Sequence, residues 1–117
     1  MEKHYKEERP WGGFERFTEN EASTVKILRV APEKRLSLQR HAKRAEYWRV
    51  LSGSGTAHVD GTDRAIAQED TVEVPLGATH RLTAGHEGLT VLEIALGKFD
   101  ENDIERLEDD FGRLKGT

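Results

Sequence analysis

From Thr24 to Leu96 the chain is a succession of short apolar and β-branched runs, each cut off by turn-forming residues. That pattern leaves little room for anything but an antiparallel all-β fold. The predicted strands are 24–30, 35–41, 45–51, 56–59, 64–67, 71–74, 80–83 and 90–96. The breaks between them include Pro32-Glu33-Lys34, Ser52-Gly53-Ser54-Gly55 and Asp60-Gly61, the last a two-residue hairpin signal. About eight strands with tight connections predict a closed jelly-roll sandwich or barrel. Only the C-terminal segment changes period. Ile104, Leu107 and Phe111 recur at helical spacing, Asn102 and Glu105 suit a capping box, and Gly112 suits a stop. A short helix over 103–111 is expected there.

At 117 residues the chain is sized for one domain, 1–117, with a single core. A net charge of −4 argues against a nucleic-acid partner, which usually demands a basic surface. There is no cysteine to build a disulfide framework, no apolar leader after Met1, and no run long enough to span a bilayer. A cytoplasmic protein with no membrane partner is the expectation.

One constellation carries chemistry. Gln39 and His41 are two apart and point the same way on a strand; Glu46 follows after a turn; His80 sits just behind Pro75-Leu76-Gly77. Taken singly, each would be an ordinary polar residue. Together they offer two imidazoles, a carboxylate and an amide oxygen, a donor set that suits zinc, or manganese, iron, cobalt or nickel. Strand parity adds that Arg44, Glu46, Trp48 and Val50 share one face. Trp48 and Val50 read as core, so Glu46 and Arg44 point inward, and a carboxylate beside an apolar wall needs a cation. By the same parity Leu36 and Leu38 oppose Arg35, Ser37, Gln39 and His41. If the polar face is merely solvated, the leucines are ordinary core; if it lines a cavity, they need another cover, from a partner subunit or an N-terminal strand, and a homodimer is expected. His4, His58 and His86 are read as ordinary surface histidines.

The spacing Gln39-x-His41-x4-Glu46-x6-Gly53, then Pro75-x-Gly77-x2-His80, resembles the paired metal motifs of the cupin superfamily. Arg35-Leu36-Ser37-Leu38-Gln39 with Arg44-Ala45-Glu46-Tyr47-Trp48 resembles the C-terminal cupin domain of type II mannose-6-phosphate isomerases. So do Arg9-Pro10-Trp11-Gly12 and the stretch from Asp103 to Arg113. The likeness spans about 9–113. It departs at Glu33 and Glu69, where the family usually has glycine, at Ala42 and Lys43, where further histidines are common, and at Ala95, where a polar residue is common. The nucleotidyltransferase domain that precedes this cupin in type II enzymes is not in the sequence, so that activity is not carried over.

The resemblance implies one divalent metal, a sugar-phosphate substrate, and aldose–ketose isomerisation between mannose 6-phosphate and fructose 6-phosphate. Such a reaction moves a proton between two carbons through an enediolate, whose charge a Lewis acid stabilises. Arg44 stands where related type I isomerases have a lysine, and is the first candidate for phosphate or enediolate contact. Arg35 and Lys26 are weaker candidates for the same contact, and Glu93 is a candidate acid/base. Two other readings use the same residues. One is a cupin that binds a sugar without turning it over. The other is a metal-dependent dioxygenase, against which Gln39 argues because such iron sites favour more imidazole.

Overall fold

The computed structural model describes residues 3–114. Its strands are β1 (Tyr5–Arg9), β2 (Gly12–Arg16), β3 (Ser23–Val30), β4 (Leu38–Arg40), β5 (Arg44–Val59), β6 (Thr62–Ala67), β7 (Thr71–Val74), β8 (His80–Gly97) and β9 (Glu105–Glu108). Among the described residues there is no helix, and so none long and apolar enough to cross a membrane.

Two long strands organise the molecule. β5 and β8 pair antiparallel along nearly their whole lengths, from Arg44↔Gly97 to Val59↔His80. The sequence reading divided each of them in two at glycine pairs. Those glycines instead mark bends within continuous strands, with register shifts at Val50/Ser52 and Gly53/Gly55. A Cβ on Gly53 would lie 2.1 Å from the Gly88 carbonyl oxygen, and one on Gly55 would lie 2.0 Å from that of Thr83. Only glycine permits this backbone approach. Beyond the bend, one half of the β5–β8 ladder continues into β3 and β7, and the other half into β6, β4 and β9. The two halves enclose a core that includes Trp48, Val50, Leu82 and Val91, each no more than 1% exposed. The Asp60-Gly61 hairpin forms as expected, with φ of 47° and 80° at its two loop residues.

Three expectations are corrected. The sheet is not closed: among the described residues β3 pairs only with β8, and β4 joins β8 through the single pair Gln39↔His80. A three-residue strand with a bulge next to it is too short to seal a barrel. The C-terminal helix is absent. Residues 105–108 instead form β9 on the open edge of β4, with Gln39↔Arg106 and Arg40↔Glu105. The apolar residues at helical spacing are not gathered on one buried face, since Leu107 is 40% and Phe111 58% exposed. Backbone pairing on an open edge outweighs a weak helical period. Asn102 is not a helix cap; its N–H donates to Asp100 Oδ1 in a local turn.

The third concerns Leu36 and Leu38. Leu36 packs against the core and lines a cavity, and Leu38 is half-buried. Period-2 parity fails because 35–41 is not one regular strand: only Leu38–Arg40 is, and the bulge falls between Leu38 and Gln39. An N-terminal hairpin, β1 with β2, makes a two-stranded sheet of its own. Its base is fixed to the outer face of β5 by stacking of His4 and Phe17 on Tyr47, with ring centroids 4.9 and 5.2 Å away, and by a 2.6 Å ion pair between Glu15 and Arg49.

Candidate metal centre

Strand pairing sets two rows of side chains facing each other across the interior. Directly opposed residues of an antiparallel pair share a face. Arg106, Gln39 and His80 therefore form one row across β9, β4 and β8. Lys26, Glu93 and Trp48 form another across β3, β8 and β5. Glu46 lies beside Ala95 in the next row. Between the rows is a cavity of about 390 Å³. Parity on β5 holds as expected: Arg44, Glu46, Trp48 and Val50 are all buried.

Three of the four expected ligands converge. His41, Glu46 and His80 are 3%, 1% and 3% exposed, and a ligand atom from each lies within 4.8 Å of the others. His41 Nε2 is 3.2 Å from Glu46 Oε2, and His80 Nε2 is 3.6 Å from Glu46 Oε1. Each imidazole is oriented by its other nitrogen. His41 Nδ1 donates to the Asp103 carbonyl at 2.6 Å, and His80 Nδ1 donates to the Ala78 carbonyl at 3.0 Å. Arg44 Nη2 lies 3.2 Å from His41 Nε2, and a guanidinium only donates, so Nε2 is an acceptor. Two imidazole lone pairs and a carboxylate thus face one another. Such a set of buried acceptors fits a divalent cation, with the carbonyl contacts fixing the rings as metal-bound histidines require. Gln39 also faces the cavity. Its amide nitrogen donates to Ser37 Oγ at 2.9 Å, and its oxygen has no partner among the described residues.

The turn before His80 is tied to the same centre. Ala78 N–H closes it on Pro75 at 3.0 Å, and Gly77 N–H donates to the His41 carbonyl at 3.1 Å. Burial pushes the His80 imidazole below its ordinary range, against the pull of Glu46. For Glu46 burial acts in the opposite direction, yet His41 and His80 in their protonated forms outweigh it by hydrogen bonding and charge and hold the carboxyl at about 2. Glu93 is buried, and burial together with the adjacent Glu46 carboxylate raises it to about 7.

The remaining expected residues divide. Arg44 is buried and committed: to His41, to Glu46 at 3.5 Å, to the Asp100 carbonyl at 3.1 Å, and to the face of Phe99, 4.5 Å from the ring centroid. Lys26 lines the cavity and rests on the same ring, also 4.5 Å away. Glu93 faces inward. Arg35 lies away from the cavity in a two-bond ion pair with Asp110, at 2.7 and 2.9 Å. His58 and His86 pair with Asp63 and Glu33, apart from the centre.

The sequence reading missed Ser37, Phe99, Asp103, Ile104 and Arg106. Asp103 orients His41 through its carbonyl, while its carboxylate accepts the N–H groups of Ala42 and Lys43 at 2.8 and 2.9 Å. Those hydrogen bonds hold the Asp103 carboxyl below its usual range, against burial. The available signal was period-2: Ile104 and Arg106 line the cavity, while Glu105 and Leu107 are exposed.

The family model for the C-terminal domain of mannose-6-phosphate isomerase matches residues 1–109. The chain is 35% identical over 108 residues to the mannose-1-phosphate guanylyltransferase ManC of Salmonella typhimurium, covering 91% of this chain and 22% of that protein. It is 40% identical over 114 residues to the xanthan biosynthesis protein XanB of Xanthomonas campestris, covering 94% and 24%. The chain therefore spans about a quarter of the length of these relatives. Among solved structures, a cupin-2 domain of Rhodospirillum rubrum superposes with a TM-score of 0.63 at 28% identity, over 73% of this chain and 58% of that one. With the paired motifs, the buried centre and a match along nearly its whole length, the chain belongs to the mannose-6-phosphate isomerase C-terminal family of cupin domains.

Proposed function

We propose that this domain is a metal-dependent aldose–ketose isomerase that interconverts mannose 6-phosphate and fructose 6-phosphate. The observation that carries the reading is the buried His41–Glu46–His80 cluster opening onto a cavity that also holds Glu93, Lys26 and Arg44. Family membership and relatives named for mannose-phosphate chemistry support the substrate class.

A divalent ion held by His41, Glu46 and His80, with Gln39 as a further oxygen donor, supplies Lewis-acid stabilisation of negative charge on the sugar's C1 and C2 oxygens. The protein groups do the rest. Glu93, a buried carboxyl in the row next to Glu46, takes the proton from one carbon and returns it to the other. Arg44 acts at the charged end of the reaction, because its Nε and Nη2 are aimed at Glu46 and His41. Trp48 donates to Glu46 Oε1 at 3.2 Å and fixes that carboxylate against the core.

The test is a coupled assay of fructose 6-phosphate formation from mannose 6-phosphate, with metal-loaded and chelated protein. Turnover that requires metal and falls by about 10² or more in Glu93→Gln is expected, the scale of a lost general base. Fully metallated wild-type protein without turnover of mannose, fructose or glucose 6-phosphate overturns the reading.

A further inference from the structure

An isomerase of this kind needs a second recognition point. The carbonyl end of the sugar belongs at the His41–Glu46–His80 cluster, and the phosphate must be held elsewhere by a cation that is not already committed. Arg44 does not meet that need, because its donors are spent on His41, Glu46 and Asp100. Nor does Arg113, which lines the cavity but is tied to Asp109 at 2.9 and 3.0 Å.

Arg106 does. Its Nε is buried with no hydrogen-bond partner, and its side chain makes no hydrogen bond or ion pair with any described residue. The acids flanking it on β9 are taken by other arginines: Glu105 by Arg40 at 2.5 Å and Glu108 by Arg81 at 3.0 Å. Buried donors are nearly always satisfied, so an orphan arginine nitrogen on a cavity wall signals an absent partner. A guanidinium has only donors, in a fork that matches phosphate oxygens. Strand register also gives the spacing. Arg106, Gln39 and His80 are consecutive in one row. Arg106 therefore stands two strand separations, about 10 Å, from the histidine of the metal cluster. A six-carbon sugar bearing a terminal phosphate can bridge that span.

We propose that Arg106 is the anchor for the phosphate monoester of the substrate, holding the far end of the sugar while its carbonyl end lies at the cluster. This rests on the isomerase reading for the identity of the sugar, and on the cavity alone for the anion. Binding energy gathered at the phosphate positions the reacting carbons, so its loss is felt in KM and, for a misplaced substrate, in kcat.

The experiment is calorimetric titration of the metal-loaded chain with mannose 6-phosphate, mannose and inorganic phosphate. The proteins are wild type, Arg106→Gln, Arg106→Lys and, as a charge control on an exposed arginine of β6 outside the cavity, Arg64→Gln. The expected result is that Arg106→Gln weakens both phosphate-bearing ligands at least about tenfold, the usual worth of hydrogen bonds to a charged group, and leaves mannose unaffected. Arg106→Lys recovers part of the loss, Arg64→Gln changes little, and metal content and Tm stay at wild-type values. Phosphate ligands that bind Arg106→Gln as tightly as wild type overturn the proposal. So does wild-type protein that binds neither phosphate ligand at millimolar concentration. Phosphate binding lost in Arg106→Gln, in a wild type without turnover, upholds Arg106 and overturns the isomerase reading. Turnover that survives Arg106→Gln with unchanged KM does the reverse.

Discussion

Three turns in this chain share one backbone shape, and only one carries the residue that shape favours. Ala31-Pro32-Glu33-Lys34, Ala67-Gln68-Glu69-Asp70 and Pro75-Leu76-Gly77-Ala78 are each closed by a 3.0 Å hydrogen bond from the fourth N–H to the first carbonyl. The third residue has φ of 63°, 75° and 79° respectively. This is the type II pattern, which asks for glycine at its third position. A residue with a Cβ pays about 1–2 kcal/mol there, while glycine brings about 0.4–1 kcal/mol of extra unfolded-state entropy. Glu69→Gly should therefore stabilise the domain by about 0.5–1 kcal/mol, raising Tm by roughly 2–4 °C at this chain length. Glu33→Gly should gain less, because it also removes an exposed 2.6 Å pair with His86 worth about 0–1 kcal/mol. Gly77→Ala is the mirror experiment. A Cβ there meets nothing within 4 Å, so the whole loss, about 1 kcal/mol, is conformational. That turn also positions His80 and bonds to His41, so Gly77→Ala should weaken metal binding, which the other two should not. Calorimetric melts of the three variants, with Glu21→Gly as an exposed control outside the left-handed region, decide it. A lower Tm for Glu69→Gly, or an unchanged one for Gly77→Ala, would refute the argument.

The other expectations concern the centre and the surface. Elemental analysis should find about one divalent metal per chain, lost on His41→Ala or His80→Ala; stoichiometric metal in the double variant removes the site. Asp103→Ala, which releases the loop at Ala42 and Lys43 while sparing every ligand, should lower metal affinity about 10- to 100-fold, measured by competition with a chelator. Arg44→Lys should retain the fold but lose turnover, since one ammonium cannot serve His41, Glu46 and the Asp100 carbonyl together. The homodimer remains our proposal on a different basis: β3 has a free edge and exposes Val25 (58%) and Ile27 (46%), so Ile27→Lys should dissociate it in sedimentation, and a monomeric wild type at micromolar concentration overturns it.

Much of the centre was legible in the sequence because its ligands sit where local rules are strict. Glu46 lies on a long strand whose inward face is declared by Trp48 and Val50, and His80 follows a turn whose third position favours glycine. The failures have a common cause: the deciding neighbour lies far along the chain. Gly53 and Gly55 resemble loop residues until Gly88 and Thr83 come within contact distance and make them bends in one strand. Ile104 to Phe111 resembles a helix until the free edge of β4 offers backbone partners. Leu36 resembles an outward residue until a bulge after Leu38 shifts the register. For Arg106 the only local signal was its period-2 alternation with Ile104 against the exposed Glu105 and Leu107. Its significance comes from Arg40 and Arg81, which take the carboxylates that would otherwise neutralise it.

The division of labour in the site follows from the same topology. The metal-ligand candidates come from the loop after β4 and from β5 and β8, elements locked together by the core. What orients and completes them comes from the segment after β8: the Asp103 carbonyl behind His41, the Phe99 ring beneath Arg44 and Lys26, and Arg106 in register with Gln39. That segment is anchored mostly by side-chain pairs and a four-residue strand, so it is the less stable part of the structure. It also carries both the group that fixes the tautomer of the candidate ligand His41 and the proposed phosphate anchor. If Arg106 holds the phosphate, docking of this segment and binding of the substrate should be coupled. On the proposal above, a phosphate on Arg106 would satisfy the buried nitrogen of β9 and steady the segment whose Asp103 carbonyl orients His41.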